Sequence, residues 1–168
     1  APDKPPVALE LASLAVFVAR HVPETDGWRD RLEGWCTAFL ANAQKAANDV
    51  PLAGKTFTDA LRLWARGKDE AGLLSEAYLL DMEASLRRAQ GLFPLALELH
   101  DKARKLARPE EIGIILLNKG FTLQEKGDPE AALEIFDEAA QVIDGKRQPR
   151  LRFALRYKGI RCLPDMYI

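Results

Sequence analysis

A spaced pattern of small and aromatic residues recurs three times in this chain, and it restricts the fold more than any other feature. Gly127, Ala132, Phe136 and Ala139 are matched 36 residues earlier by Gly91, Ala96, His100 and Ala103, and 43 residues before those by Asn48, Ala53, Phe57 and Ala60. The last three positions of each set follow the period of an α-helix and so share one helical face. A helical unit of this size cannot bury that face alone, and repeats of it must stack on one another. The pattern therefore predicts an all-α solenoid and says little about chemistry.

Local signals divide the chain into about seven helices. The apolar run from Val7 to His21 predicts a well-buried helix, ended by Pro23, with Thr25 or Asp26 as N-cap of the next. Helices are expected over about 27–46 and 51–65, with Asn48 and Asp49 between them, and then over about 70–90 and 93–107. Pro109, Glu110 and Glu111 suit the first turn of a helix reaching Lys126. At Gly127, Asp128 and Pro129 a terminator, a cap and a first-turn proline follow in order. The next helix closes at Asp144-Gly145, and a last one runs from about 150 to 162, stopped by Pro164. No segment has the alternation of a strand.

Composition narrows the classes of function. A length of 168 residues with 48% hydrophobic content suits one folded domain with a continuous core. A net charge of -1 gives no global field for nucleic acid or an anionic membrane. The one local exception is basic: Lys146, Arg147, Arg150, Arg152, Arg156, Lys158 and Arg161 stand together without an acidic residue. Both a solvated face meeting an acidic body and a dock for an acidic partner or phosphate backbone remain open readings of it. Cys36 and Cys162 match no metal or redox spacing and fit buried thiols, which favours a reducing, cytoplasmic setting. No apolar run approaches the roughly 18 residues of a membrane span, and residues 1–6 lack signal-peptide order. The chain opens on Ala1, which leaves a fragment of a larger protein, a processed product and a lost initiator methionine all open.

The repeating residues resemble the tetratricopeptide repeat, a helix-turn-helix unit of 34 residues. The best match is 113–146, where Leu116, Gly120, Leu123, Gly127, Ala132, Phe136 and Ala139 occupy the family's large, small and aromatic positions. Asp144 stands where the family often has proline. In the unit 77–110, Leu80, Ala84, Gly91, Ala96 and Ala103 match, while His100 replaces the aromatic residue and Arg87 a large apolar one. The unit 34–67 keeps Leu40, Ala41, Ala53, Phe57 and Ala60 but carries Thr37 and Gln44 as departures. A half unit follows at 150–163, with Leu155, Gly159 and Cys162 in register, either capping the stack or exposing an apolar face.

The resemblance implies a right-handed superhelix whose inner face, formed by the first helix of each unit, holds a peptide, a partner helix or another domain. By position that face takes Trp35, Asn42 and Lys45 from the first unit and Tyr78, Asp81 and Arg88 from the second. Ile114, Leu117 and Phe121 come from the third, and Phe153 and Arg156 from the half unit. Trp35, Phe121 and Phe153 equally suit packing between helices. A grip on a C-terminal carboxylate is disfavoured, because only Asn42 has the required identity, while Ala38, Met82 and Ile114 fill other clamp positions.

No catalytic or cofactor signature is present. His21 and His100 are far apart, His100 reads as a packed substitute for an aromatic residue, and no phosphate loop, zinc-spaced cluster or nucleophile elbow occurs. The expectation is a protein-binding scaffold, neither an enzyme nor a metalloprotein. A nucleic-acid-binding repeat using 146–161 and a self-associating module joined through the C-terminal helix are its rivals.

Overall fold

The computed structural model describes residues 7–23, 27–145 and 147–159, with side chains through 155. Among these residues every regular element is a helix: α1 (Val7–Arg20), α2 (Trp28–Ala46), α3 (Val50–Arg66), α4 (Glu76–Ala89), α5 (Phe93–Leu106), α6 (Pro109–Lys126), α7 (Pro129–Val142) and α8 (Pro149–Gly159). These eight helices match one for one the segments outlined by the local sequence signals, one more than the round count of about seven. The chain forms two compact units, Ala1–Ser75 with α1 to α3 and Glu76–Ile168 with α4 to α8.

The turns are built by the residues that announce them. Asp49 caps α3 by accepting the Leu52 N–H at 3.1 Å, and Asp128 caps α7 by accepting that of Ala131 at 3.2 Å. Gly127 ends α6 in the left-handed region at φ 90, which a side chain would strain. Glu111 reaches back to the Arg108 N–H at 2.9 Å, closing the first turn of α6. Two boundaries differ from expectation. Thr25 and Asp26 lie outside the described residues, and Gly27 takes the cap position of α2. The helix expected from 70 begins only at Glu76, because the Asp69 carboxylate accepts the Leu74 N–H at 2.7 Å and holds 69–74 in a turn.

Three antiparallel hairpins, α2–α3, α4–α5 and α6–α7, share one internal register. Ala53, Phe57 and Ala60, then Ala96, His100 and Ala103, then Ala132, Phe136 and Ala139 are all buried on the second helix of their hairpin. Small residues of the first helix lie where the partner presses closest. A Cβ added to Gly120 would sit 2.3 Å from Phe136 Cε1, and one added to Gly113 would sit 2.7 Å from Ile143 Cγ1. In the first hairpin a Cβ on Gly34 would lie 2.6 Å from the Trp64 backbone nitrogen. Small side chains at these crossings set the distance between helix axes.

In the second unit the hairpins stack: α6 packs against both helices of α4–α5, and α8 lies against α7 and α6. Leu116, Leu117, Leu123, Phe136, Ile143 and Leu155 form its main core. Polar links run along the same contacts, with Lys119 to Asp101 at 2.6 Å between α6 and α5 and Arg104 paired with Glu138 between α5 and α7. In the first unit Arg66 forks onto Asp30 at 2.8 and 3.0 Å, which holds the Asp30 carboxyl below its ordinary range.

One expectation fails here. α1 is not well buried: Ala12, Val16 and Ala19 pack inward, but Val7, Leu11, Leu14, Phe17 and Val18 are exposed. The helix packs chiefly on α2, and one main neighbour covers only one stripe of a helix.

Gly120→Ala should destabilise the chain by about 1–3 kcal/mol, as should Ala132→Leu, because neither crossing has room for added carbon. Denaturant melts would measure this, and unchanged midpoints for both variants would refute the shared register.

Candidate functional site

In the second unit the first helices of consecutive hairpins, α4 and α6, lie side by side. Asn118 Nδ2 donates to Asp81 Oδ2 at 2.7 Å, and Arg88 Nε approaches Glu125 at 3.5 Å, so two polar links join them. Several residues expected on the binding face are thereby brought onto one pair of helices. Tyr78 is half-buried, and burial, with Asp81 and Glu111 nearby, pushes its hydroxyl pKa above the ordinary value. Ile114 is half-buried against Ala77, Ala103 and Ile115. Phe121 is half-buried too, its ring 5.3 Å from that of Phe136.

Two predicted face residues lie beneath this surface. Leu117 is 1% exposed and belongs to the core. Asp81, also buried, accepts from Asn118 through one oxygen and lies 3.0 Å from His100 Nδ1 through the other. Asp81 is closed to a partner because α6 packs over it, and Leu117, on α6 itself, turns into the core with Phe136 and Leu155. The reading of α4 and α6 as a single row of outward residues made no allowance for α4, α5 and α6 meeting at one point.

That meeting point holds a hydrogen-bond network that the sequence reading missed. His100 is 0% exposed, and its Nε2 lies 3.0 Å from Thr122 Oγ1, which is itself 2.9 Å from the Asn118 carbonyl oxygen. A carboxylate can only accept, so His100 Nδ1–H donates to Asp81. Thr122 has one proton, which goes either to His100 Nε2 or to the Asn118 carbonyl. With neutral imidazole it bonds Nε2; with imidazolium, Nε2–H donates and the hydroxyl turns to the carbonyl. Both states leave every side-chain group of the network partnered. The order carboxylate, imidazole, hydroxyl is that of hydrolytic triads. Here the hydroxyl has no exposure, so a substrate carbonyl cannot reach it while the helices stay packed. The available clue was a histidine at an aromatic position whose neighbouring helices each carry a short polar side chain.

In the first unit Trp35 stacks among rings rather than standing free. Its centroid lies 5.9 Å from Trp64 and 5.3 Å from Phe39, and Arg31 covers Trp64 with its guanidinium carbon 3.4 Å from the ring centre. Asn42 and Lys45, two of the expected contacts, are half-buried further along α2. Phe39, which the sequence reading did not single out, is the exposed edge of the aromatic group. Another face of this unit forms a cleft of about 380 Å³ walled by Arg20, Glu33, Asp59 and Arg62 over Val16, Leu40 and Leu63. Its charges pair off, Arg20 with Glu33 and Arg62 with Asp59, each at 2.7 Å. Cys36 is a half-buried free thiol whose pKa is raised, mainly by burial and then by Glu33.

On α8, Phe153 is 71% exposed, and the side chain of Arg156 lies outside the described residues, as does Cys162. The basic segment is partly tied down: Arg152 Nη1 donates to the Ala140 carbonyl at 3.3 Å and Arg147 approaches Asp144 at 3.7 Å. Among the described residues no group of three His, Cys, Asp or Glu could hold a metal ion, and no helix is long and apolar enough to cross a membrane. No protein-family model, curated protein or solved structure matches the chain.

His100→Phe restores the aromatic residue of the neighbouring units but removes a donor from buried Asp81, and should cost about 3–5 kcal/mol. Asp81→Leu added to His100→Phe should recover part of that loss, because it removes the uncompensated carboxylate. Chemical denaturation of wild type, both single variants and the double variant checks this; additive losses would show that the pair is not coupled.

Proposed function

We propose that this chain is a tetratricopeptide-type scaffold whose second unit holds an extended peptide, a partner helix or another protein domain on the face formed by α4 and α6, the first helices of its two hairpins. The observation that carries the reading is the shared register of the three hairpins, with an alanine-aromatic-alanine set, or its histidine variant, buried at the same depth in each. The lateral contact of α4 with α6 supports it, since that packing puts Tyr78, Arg88, Ile114 and Phe121 on adjacent helices. Half-buried aromatic and arginine side chains are the usual anchors of interfaces, being largely ordered before a partner arrives.

In this reading the chain performs no chemistry of its own, and its place is a reducing, cytoplasmic one, consistent with sparse cysteine and a free Cys36. The mechanism is preorganisation. The polar links between α4 and α6 fix the spacing of the anchors, so a ligand bears less of the ordering cost.

A peptide selected from a displayed random library against the whole chain supplies the probe. Tyr78→Ala and Arg88→Ala should each weaken its binding by about tenfold, with far-ultraviolet dichroism unchanged. Affinity for the peptide should change little between low and moderate salt. Single-stranded RNA bound tightly and lost steeply with salt would instead favour the basic segment 146–161 as the working surface.

A further inference from the structure

The exposed side of α1 is organised rather than merely apolar. Val7, Leu11, Leu14 and Val18 follow the four-three-four spacing of a coiled-coil seam, and with Phe17 they are 54–68% exposed. The inward stripe of Ala12, Val16 and Ala19 lies on the opposite side of the helix, against the rest of its unit. The helix therefore has two apolar faces, and a single helix on a protein surface needs only one. We propose that the α1 seam docks against the α1 seam of a second copy of this chain.

Three observations favour a second copy as occupant. The first is spacing: a regular seam on a short helix is complementary to itself across a two-fold axis, residue by residue. The second is charge. Glu10 and Arg20 are the only acidic or basic side chains on α1, and Arg20 is already paired with Glu33 at 2.7 Å. Ala8 and Ala15 flank the seam on one side and Glu10 and Phe17 on the other, so each copy brings a single acidic side chain to the rim of the contact and no row of like charges. The third is area. Five large side chains more than half exposed offer roughly 400 Å² per copy, and a symmetric pair with its flanking side chains reaches about the 1,000 Å² that a specific interface should clear. The pairing involves α1 alone. It is distinct from the partner face of α4 and α6 and from a contact through α8.

Sedimentation velocity on the whole chain from about 1 to 100 μM tests the proposal. The expected result is a monomer–dimer equilibrium. Leu14→Glu and Leu11→Lys, each at an exposed seam position, should weaken it by about tenfold or more without loss of helicity. Phe153→Glu on α8 should leave it intact. In a mixed sample of labelled and unlabelled chains, intermolecular nuclear Overhauser effects between Leu11 and Leu14 methyl groups are expected, a readout that needs no substitution. A chain monomeric throughout the range overturns the proposal, as does a dimer that lacks those methyl contacts or is broken by Phe153→Glu.

Discussion

Side-chain size at the helix crossings governs this structure. Where α6 meets α7, Gly120 leaves Phe136 the space its ring occupies, and Gly113 does the same for Ile143. One extra carbon at either point would fall inside van der Waals contact, so the interaxial distance follows from a missing Cβ rather than from any specific attraction. Once that distance is set, Leu116, Leu117 and Leu123 fill the volume between hairpins, and the stack inherits its spacing from the crossings.

The same constraint explains why the architecture was easy to read and the surface was not. Ala53, Ala96 and Ala132 are legible because close packing tolerates few alternatives at those positions, and the demand recurs in every unit. Asp128 and Gly127 are legible because a cap and a left-handed terminator each need a particular residue type. The face residues carry no such demand. Leu117 and Asp81 occupy outward positions by helical register, yet Asp81 is covered where α4, α5 and α6 converge, and Leu117 where α6 packs with α7 and α8. That convergence depends on the angle between hairpins, which periodicity within one helix does not encode. α1 shows the converse. Its run of apolar residues reads as burial, but hydrophobicity reports a capacity to be covered and not the number of neighbours.

Polar groups in the interior of the second unit follow a different logic from its apolar core. Burying the Asp81 carboxylate is costly, and only the convergent donors of His100 and Asn118 offset it. Each donor comes from a different helix, so the network is satisfied only when three helices take one relative position. Apolar packing between the same helices would accept small slips, whereas an unpartnered buried carboxylate would not.

That network has no counterpart in the following hairpin, where Phe136 fills the place of His100 and leaves no polar atom to satisfy. The hairpins therefore share a shape but are not interchangeable bricks. A concatenated array made from copies of 113–146 would keep the crossings and lose the contact that specifies which hairpin sits beside which. In this chain succession is written into hydrogen bonds, and the order of the modules is as much a part of the fold as their form.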